Sequence, residues 1–236
     1  MWNLIKKIYV GTHQVRPEPE PTVLAHYPLT TTSTTSDTSW NWNNLTKSWT
    51  VTFGTYWGVN CAYFNGGYLY INKSLVLWSN PRTISCWFYR TSALADGGAF
   101  WGMGTASSQN WITAYTHGSA YALWQIGYGN WNVDLNYPNQ QTPLNGWDLL
   151  TFTYDGTNAG VYLNWSYLWT PYAGESQSTT AITLNLTNTR TAICAFPNLS
   201  WTWFKGYMSE FIFDWVCWST SEVVDYYNST KWTYGL

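Results

Sequence analysis

From Val23 onward, apolar and aromatic residues come in short runs separated by clusters of Gly, Asn, Asp and Ser. The first runs are Val23–Pro28, Asn60–Phe64, Tyr68–Ile71 and Thr83–Thr91. Ala99–Gly104, Trp111–Tyr115, Tyr121–Tyr128 and Trp131–Leu135 follow, and then Trp147–Tyr154, Ala159–Asn164, Ala192–Phe196 and Gly206–Trp215. Their enrichment in Val, Ile, Thr, Tyr, Phe and Trp predicts strands, because branched and aromatic side chains pack well on a pleated surface. Gly66-Gly67 and Asp155-Gly156 predict hairpin turns. One helix is expected, Ser221–Asn228, with Ser219 or Ser221 as its cap and Glu222 in the first turn, where the helix dipole favours an acid. Many strands and one helix predict an all-β, two-sheet antiparallel sandwich over residues 22–236.

Residues 1–21 read as a separate arm. A β-prone segment, Ile8–Thr12, precedes Pro17-Glu18-Pro19-Glu20-Pro21, whose alternating prolines make an extended spacer. Such a segment suits a docking arm that adds a strand to a partner's sheet edge; a solvated tail is the alternative.

Composition narrows the function. Only 9% of the 236 residues are charged and 20% are aromatic, including 19 Trp and 19 Tyr. An ordinary globular chain carries roughly 25% charged residues. Disorder needs the opposite balance. A net charge of −2 lacks the basic surplus of a nucleic-acid binder. No apolar run reaches the ~18 residues of a membrane span, and the first residues do not read as a secretory signal. The four cysteines, Cys61, Cys86, Cys194 and Cys217, form no C-x-x-C pair and so do not read as a zinc site. Cys86 and Cys194 sit in apolar runs and read as buried free thiols. An extracellular setting would leave disulfides open.

Several segments, in order, resemble the laminin-G-like, concanavalin-A-like jelly rolls. They are Leu24–Leu29, Ala62–Ile71 ("apolar-F-D/N-G-x-x-Y"), Thr83–Tyr89 ("T-I-S-x-W"), Trp147–Gly156 ("W-H-x-x-x-x-T-Y-D-G"), Val161–Asn164 and Phe204–Phe213 ("F-x-G-x-I-D-E-V-x-I"). The resemblance implies a jelly-roll sandwich with Trp87 and Trp147 in its core and a closing helix. It also implies the functions that fold hosts, which are lectins, adhesion modules and glycanases. Some members bind calcium through turn residues, for which Asp37, Asp96 and Asp134 are the candidates. No other cofactor is implied. The segment Ile8–Pro17 resembles a short leader on structural proteins of tailed bacteriophages, which implies attachment of the domain to a virion through residues 1–16.

The sequence departs from the family pattern in places. Asp148 replaces a His and Ser209 an Asp. Trp40, Trp42 and Trp165 stand where the family has turn glycines. Glycine occupies such turns because it alone reaches φ > 0 freely, and another L-residue there costs about 1–2 kcal/mol. Either these are exposed functional rings, or they come from UGA codons that the source organism reads as Gly.

Fold alone does not decide function. Glycoside hydrolysis needs two carboxyl groups flanking the scissile bond, and no E-x-D-x-E string occurs. Glu210 and Asp214 would share a strand face but lie about 13 Å apart. The histidines, His13, His26 and His117, have no neighbouring nucleophile or ligand in sequence. What remains is aromatic surface interleaved with amides, which suits a sugar's apolar face and its hydroxyls. Trp111, Tyr128, Asn130, Trp131 and Asn132 are the candidate ligand contacts. The expectation is a non-enzymatic module binding a carbohydrate or host-surface glycan, virion-associated or extracellular. The alternatives are a virion decoration or fibre-head subunit without ligand, and a glycoside hydrolase.

Overall fold

The computed structural model describes residues 9–10, 13–14, 22–48, 50–91, 98–105, 110–117, 123–127, 135–137, 145–168, 181–200 and 204–236. In chain order the strands are β1 (Tyr9–Val10), β2 (His13–Gln14), β3 (Val23–Tyr27), β4 (Thr46–Lys47), β5 (Thr52–Tyr56) and β6 (Val59–Asn65). Next come β7 (Leu69–Ile71), β8 (Arg82–Arg90), β9 (Ala99–Gly104), β10 (Trp111–His117), β11 (Leu123–Gly127) and β12 (Leu135–Tyr137). The last are β13 (Trp147–Tyr154), β14 (Ala159–Leu163), β15 (Ser166–Tyr167), β16 (Thr191–Ile193) and β17 (Lys205–Asp214). Helix α1 (Thr220–Thr230) and a 3-10 turn, Lys231–Tyr234, close the chain.

The expected all-β, two-sheet antiparallel jelly-roll sandwich is what the chain forms. The smaller sheet runs β12-β11-β10-β9-β16-β7-β4 and the larger β15-β14-β13-β8-β17-β6-β5. β17 is ten residues long, so its first half pairs with β6 and its second half with β3. Alternation along the central strands sends Ile84, Cys86 and Phe88 of β8, and Leu150 and Phe152 of β13, into the core between the sheets. There they meet Phe100, Met103, Ile112 and Ile193 of the smaller sheet, with Phe88 and Phe100 at 5.0 Å between ring centroids. Each such side chain contributes about 1.5–3 kcal/mol by leaving water.

Most of the expected runs are strands, with edges shifted by one to three residues. The arm's β-prone segment pairs with itself, Tyr9–Val10 against His13–Gln14, in a small sheet of its own. The spacer at 17–21 lies outside the described residues. Asp155-Gly156 does turn the β13–β14 hairpin. Gly66-Gly67 does not turn a hairpin: β6 belongs to the larger sheet and β7 to the smaller. The pair carries the chain from one sheet to the other, with Gly66 at φ 74. A Cβ on Gly67 would stand 2.4 Å from Thr50 Oγ1 and 2.8 Å from Val51 Cγ2, so a larger residue at this crossing requires those side chains to move.

Ser219 is the helix cap. Its hydroxyl accepts from the Glu222 N–H, and the Glu222 carboxylate accepts from the Ser219 N–H at 2.7 Å, a capping box. Val223, Tyr226 and Tyr227 form the buried stripe of α1, which packs on the outer face of the larger sheet around Trp87, Leu149 and Trp218.

The cysteines are free. Cys61, Cys86 and Cys194 are buried, and burial pushes the Cys61 thiol up to about 12 and raises the other two as well. Only Cys217 is partly exposed. A thiol-alkylating reagent is therefore expected to label Cys217 alone in native buffer and all four cysteines in denaturant. Mass spectrometry of the labelled protein checks this; rapid native labelling of Cys86 would contradict the packing.

Candidate functional site

The outer face of the larger sheet is only partly covered by α1. On β8, period-two alternation that buries Cys86 and Phe88 turns Trp87 and Tyr89 outward. The same alternation turns Tyr63 out of β6 and Tyr207 out of β17. Strand register then sets these residues side by side: Tyr63 opposite Tyr207, Tyr207 opposite Tyr89, and Tyr89 opposite Trp147. The ring centroids are 4.9, 5.9 and 5.7 Å apart along the row. Trp147 is buried beneath Tyr234 at 4.9 Å, while the three tyrosines are half-exposed. Strands about 4.8 Å apart spread those three rings over roughly 10 Å.

Two more rings close the edge of the row. Tyr56, at the end of β5, lies 4.5 Å from Tyr207. It leans over Gly54, where a Cβ would come within 3.0 Å of the Tyr56 ring. Trp57, in the β5–β6 turn, stacks on Tyr89 at 4.5 Å and 23°. At the far end, Asn65 and Lys205 lie opposite one another, both exposed. They sit two residues from Tyr63 and Tyr207, on the same face. Burial first, and then the neighbouring phenols Tyr56 and Tyr63, hold the Tyr207 hydroxyl above the ordinary phenol range. The row presents flat apolar faces edged by hydroxyls, one amide and one ammonium.

The sequence-predicted contacts fall elsewhere. Trp111 begins β10 on the outward side of the smaller sheet and is buried, packed on Phe196 at 5.4 Å beside Tyr115. Its ring supports the sheet and presents no open face. Tyr128, Asn130, Trp131 and Asn132 lie outside the described residues, as do Asp96 and Asp134. Asp37 is described: Oδ1 accepts from the His26 and Ser39 N–H groups and Oδ2 from Asn43 N–H, at 2.8–3.0 Å. Its oxygens organise the loop that follows β3. Among the described residues no group of three His, Cys, Asp or Glu side chains could hold a metal.

The other carboxylates have comparable structural roles. Asp155 accepts from the Thr157 and Asn158 N–H groups. Burial raises the Asp148 carboxyl, which accepts from Asn164 Nδ2 at 2.9 Å. A bulge in β17 between Ser209 and Ile212 breaks the alternation, with Glu210 at φ 50. Glu210 turns to His26 Nε2 at 2.6 Å, and Asp214 is buried, accepting from Trp218 Nε1 at 2.8 Å.

Reading the sequence alone misses the tyrosine row because its members come from segments far apart in the chain. The available signal is local: Tyr63, Tyr89 and Tyr207 each alternate with a core residue. Which alternations become neighbours is decided by register alone.

Comparison with solved structures shows the fold. Domain 4 of AbnA, a GH43 extracellular arabinanase from Geobacillus stearothermophilus solved in complex with arabinotriose, matches with a TM-score of 0.66 at 18% identity. The match covers 86% of this chain and 97% of that one. The botulinum neurotoxin serotype G binding domain matches with a TM-score of 0.61 at 15% identity over 89% of this chain. The binding domain of Paraclostridial Mosquitocidal Protein 1 matches at 0.58 and 13% over 82%. This chain spans about half of each toxin domain, 51% and 49%. No protein-family model and no curated protein sequence matches the chain.

Proposed function

We propose that this protein is a non-enzymatic binding module that takes a neutral glycan on the Tyr63–Tyr207–Tyr89 row. The observation that carries the reading is the in-register row of half-exposed phenols, continuous over three strands and edged by Asn65 and Lys205. Stacked sugar rings need flat apolar faces at close spacing and polar groups at the rim for their hydroxyls. A surface of neutral phenols with one cation gives no basis for preferring a polyanion. The arabinotriose complex of a domain with the same fold supports the ligand class. The structural roles of Asp37, Asp148, Asp155, Glu210 and Asp214 favour binding over hydrolysis.

The test is a calorimetric titration with a panel of neutral oligosaccharides that includes arabinotriose. One or more is expected to bind, and Tyr207→Ala is expected to weaken that binding at least tenfold, since 1.4 kcal/mol is a factor of ten and a central stacked ring contributes about that much. Tyr68→Ala, beside the smaller sheet, is expected to leave affinity unchanged. A folded protein that binds no neutral glycan, or equal losses for the two variants, would overturn the reading.

A further inference from the structure

The tryptophans whose side chains are described divide into two sets with nothing between. Trp87, Trp101, Trp111, Trp147 and Trp218 are no more than 7% exposed. Trp40, Trp42, Trp57 and Trp78 are 56–79% exposed, and Trp165, Trp215 and Trp232 are 53–75% exposed. Tryptophan is highly buried on average, so a set left in water is the unexpected one.

Backbone conformation separates the sets again. Trp40, Trp42, Trp57 and Trp78 have φ of 71, 57, 50 and 54°, and none of the five buried rings has positive φ. In the left-handed region the Cβ of an L-residue crowds the following carbonyl oxygen. Asn and Asp offset that crowding with local hydrogen bonds from a short side chain, which an indole cannot make. A bulky residue there is a genuine outlier, and four tryptophans lie there among the described residues, more than any other residue type; Leu29, Cys194, Leu199 and Glu210 are the other residues besides Asn and Gly. Turn chemistry agrees. Trp57 and Gly58, at φ 50 and 82, are the two central residues of the β5–β6 hairpin. A two-residue turn with both φ positive calls for Asn, Asp or Gly at its first position. Trp165 differs: the positive φ of its turn belongs to Asn164, at 58°.

We propose that positions 40, 42, 57 and 78 are glycine in the protein made by its natural host, each encoded by UGA, which some genetic codes read as tryptophan and others as glycine, and that glycine at 57 opens the Tyr89 ring face as a ligand subsite. The second half rests on the glycan-binding reading. Trp57 lies flat on Tyr89 at 4.5 Å, the stacking distance a sugar ring would use. Without that indole, the row has three open phenols in succession, and the Trp57 site holds ligand instead of side chain.

The decisive experiment compares glycine with alanine at each of the four positions. In an ordinary turn or helix alanine is the more stabilising residue; at a left-handed position glycine is. Each Trp→Gly variant is expected to melt about 2–4 °C above its Trp→Ala counterpart. Trp232→Gly against Trp232→Ala, outside the left-handed region, is the control and is expected to show no such gain. Alanine equal to or better than glycine at the four positions would overturn the assignment, as would TGG codons there. For the subsite, Trp57→Gly is expected to bind the neutral oligosaccharides of the panel at least tenfold more tightly than the tryptophan form. Unchanged affinity in a stabilised Trp57→Gly protein overturns the subsite alone. If no variant binds any glycan, the binding reading fails while the glycine assignment stands on its own melting data.

Discussion

Trp87→Ala is expected to destabilise the protein by about 3–5 kcal/mol, the range for removing a buried aromatic ring, and to free helix α1 from the sheet. Trp87 is fully buried although it points away from the core between the sheets. Its ring stacks on Tyr234 at 4.0 Å and 18°, and on Tyr227 at 5.7 Å and 24°. Its Nε1 donates to Thr230 Oγ1 at 3.2 Å. One side chain thus holds the end of the helix and the closing turn together, and the alanine variant would leave a cavity that the two tyrosines cannot fill without moving the helix. Denaturant titration followed by near-ultraviolet circular dichroism measures the stability loss, and hydrogen exchange of the α1 amides reports the detachment. Trp87→Phe keeps most of the stacking and is expected to lose much less. A Trp87→Ala loss within about 0.5 kcal/mol, the range of surface substitutions, would show that the helix is held by other contacts.

This position was legible in the sequence. Thr83–Tyr89 resembles a strand of the laminin-G-like jelly rolls, and that resemblance implies packing for Trp87 as for Trp147. The helix was legible for the same kind of reason: Ser219 and Glu222 carry their capping signal at fixed local spacing, and Val223, Tyr226 and Tyr227 mark one face. Long strands such as Trp147–Tyr154 and Ala99–Gly104 were found to the residue because their runs are long and sharply bounded. Failures came where the deciding interaction is not local. Gly66-Gly67 has the composition of a hairpin turn, but the partners of β6 and β7 sit in different sheets. Thr52–Tyr56 was missed as a strand because Gly54 dilutes its pattern. Glu210 was placed on a regular strand because nothing in Ser209-Glu210-Phe211 announces a bulge. That bulge is fixed by pairing with β8 on one side and by β6 giving way to β3 on the other.

The binding face shows the same division. Trp111 lies in an aromatic stretch rich in amides, yet Phe196, 85 residues later in the chain, covers it. The tyrosine row requires three strands in register, and no single segment holds two of its members. The turn tryptophans are partly legible because a left-handed turn is a local matter: of the three positions the sequence marks, Trp40 and Trp42 lie at positive φ, while at Trp165 the positive φ belongs to Asn164. Trp57 and Trp78 share that conformation, which their sequence neighbourhoods do not announce.

Gly206→Ala is expected to cost about 1–3 kcal/mol or more, the range for forcing extra volume into a well-packed site, and to weaken ligand binding through the tyrosine row. A Cβ on Gly206 would stand 2.1 Å from the Tyr89 carbonyl oxygen and 3.2 Å from the Arg90 Cα. Both obstacles are backbone, so no rotamer change relieves them, and β17 has to shift away from β8. Gly206 pairs with Arg90, and the next pair along is Tyr207 with Tyr89. A shift large enough to admit the methyl group therefore separates the two rings that form the centre of the platform. Gly67→Ala provides the contrast, since its nearest obstacles, Thr50 Oγ1 and Val51 Cγ2, are side-chain atoms that can rotate or yield. In denaturant titrations Gly206→Ala should lower the midpoint at unchanged slope, as expected for lost stability without a change in the surface exposed on unfolding. It should also weaken oligosaccharide binding at temperatures where it remains folded, whereas Gly67→Ala should lose less stability and keep its affinity. If Gly206→Ala retained full affinity while folded, ligand recognition would not depend on the register between Tyr207 and Tyr89, and the row would be a packing feature of the sheet.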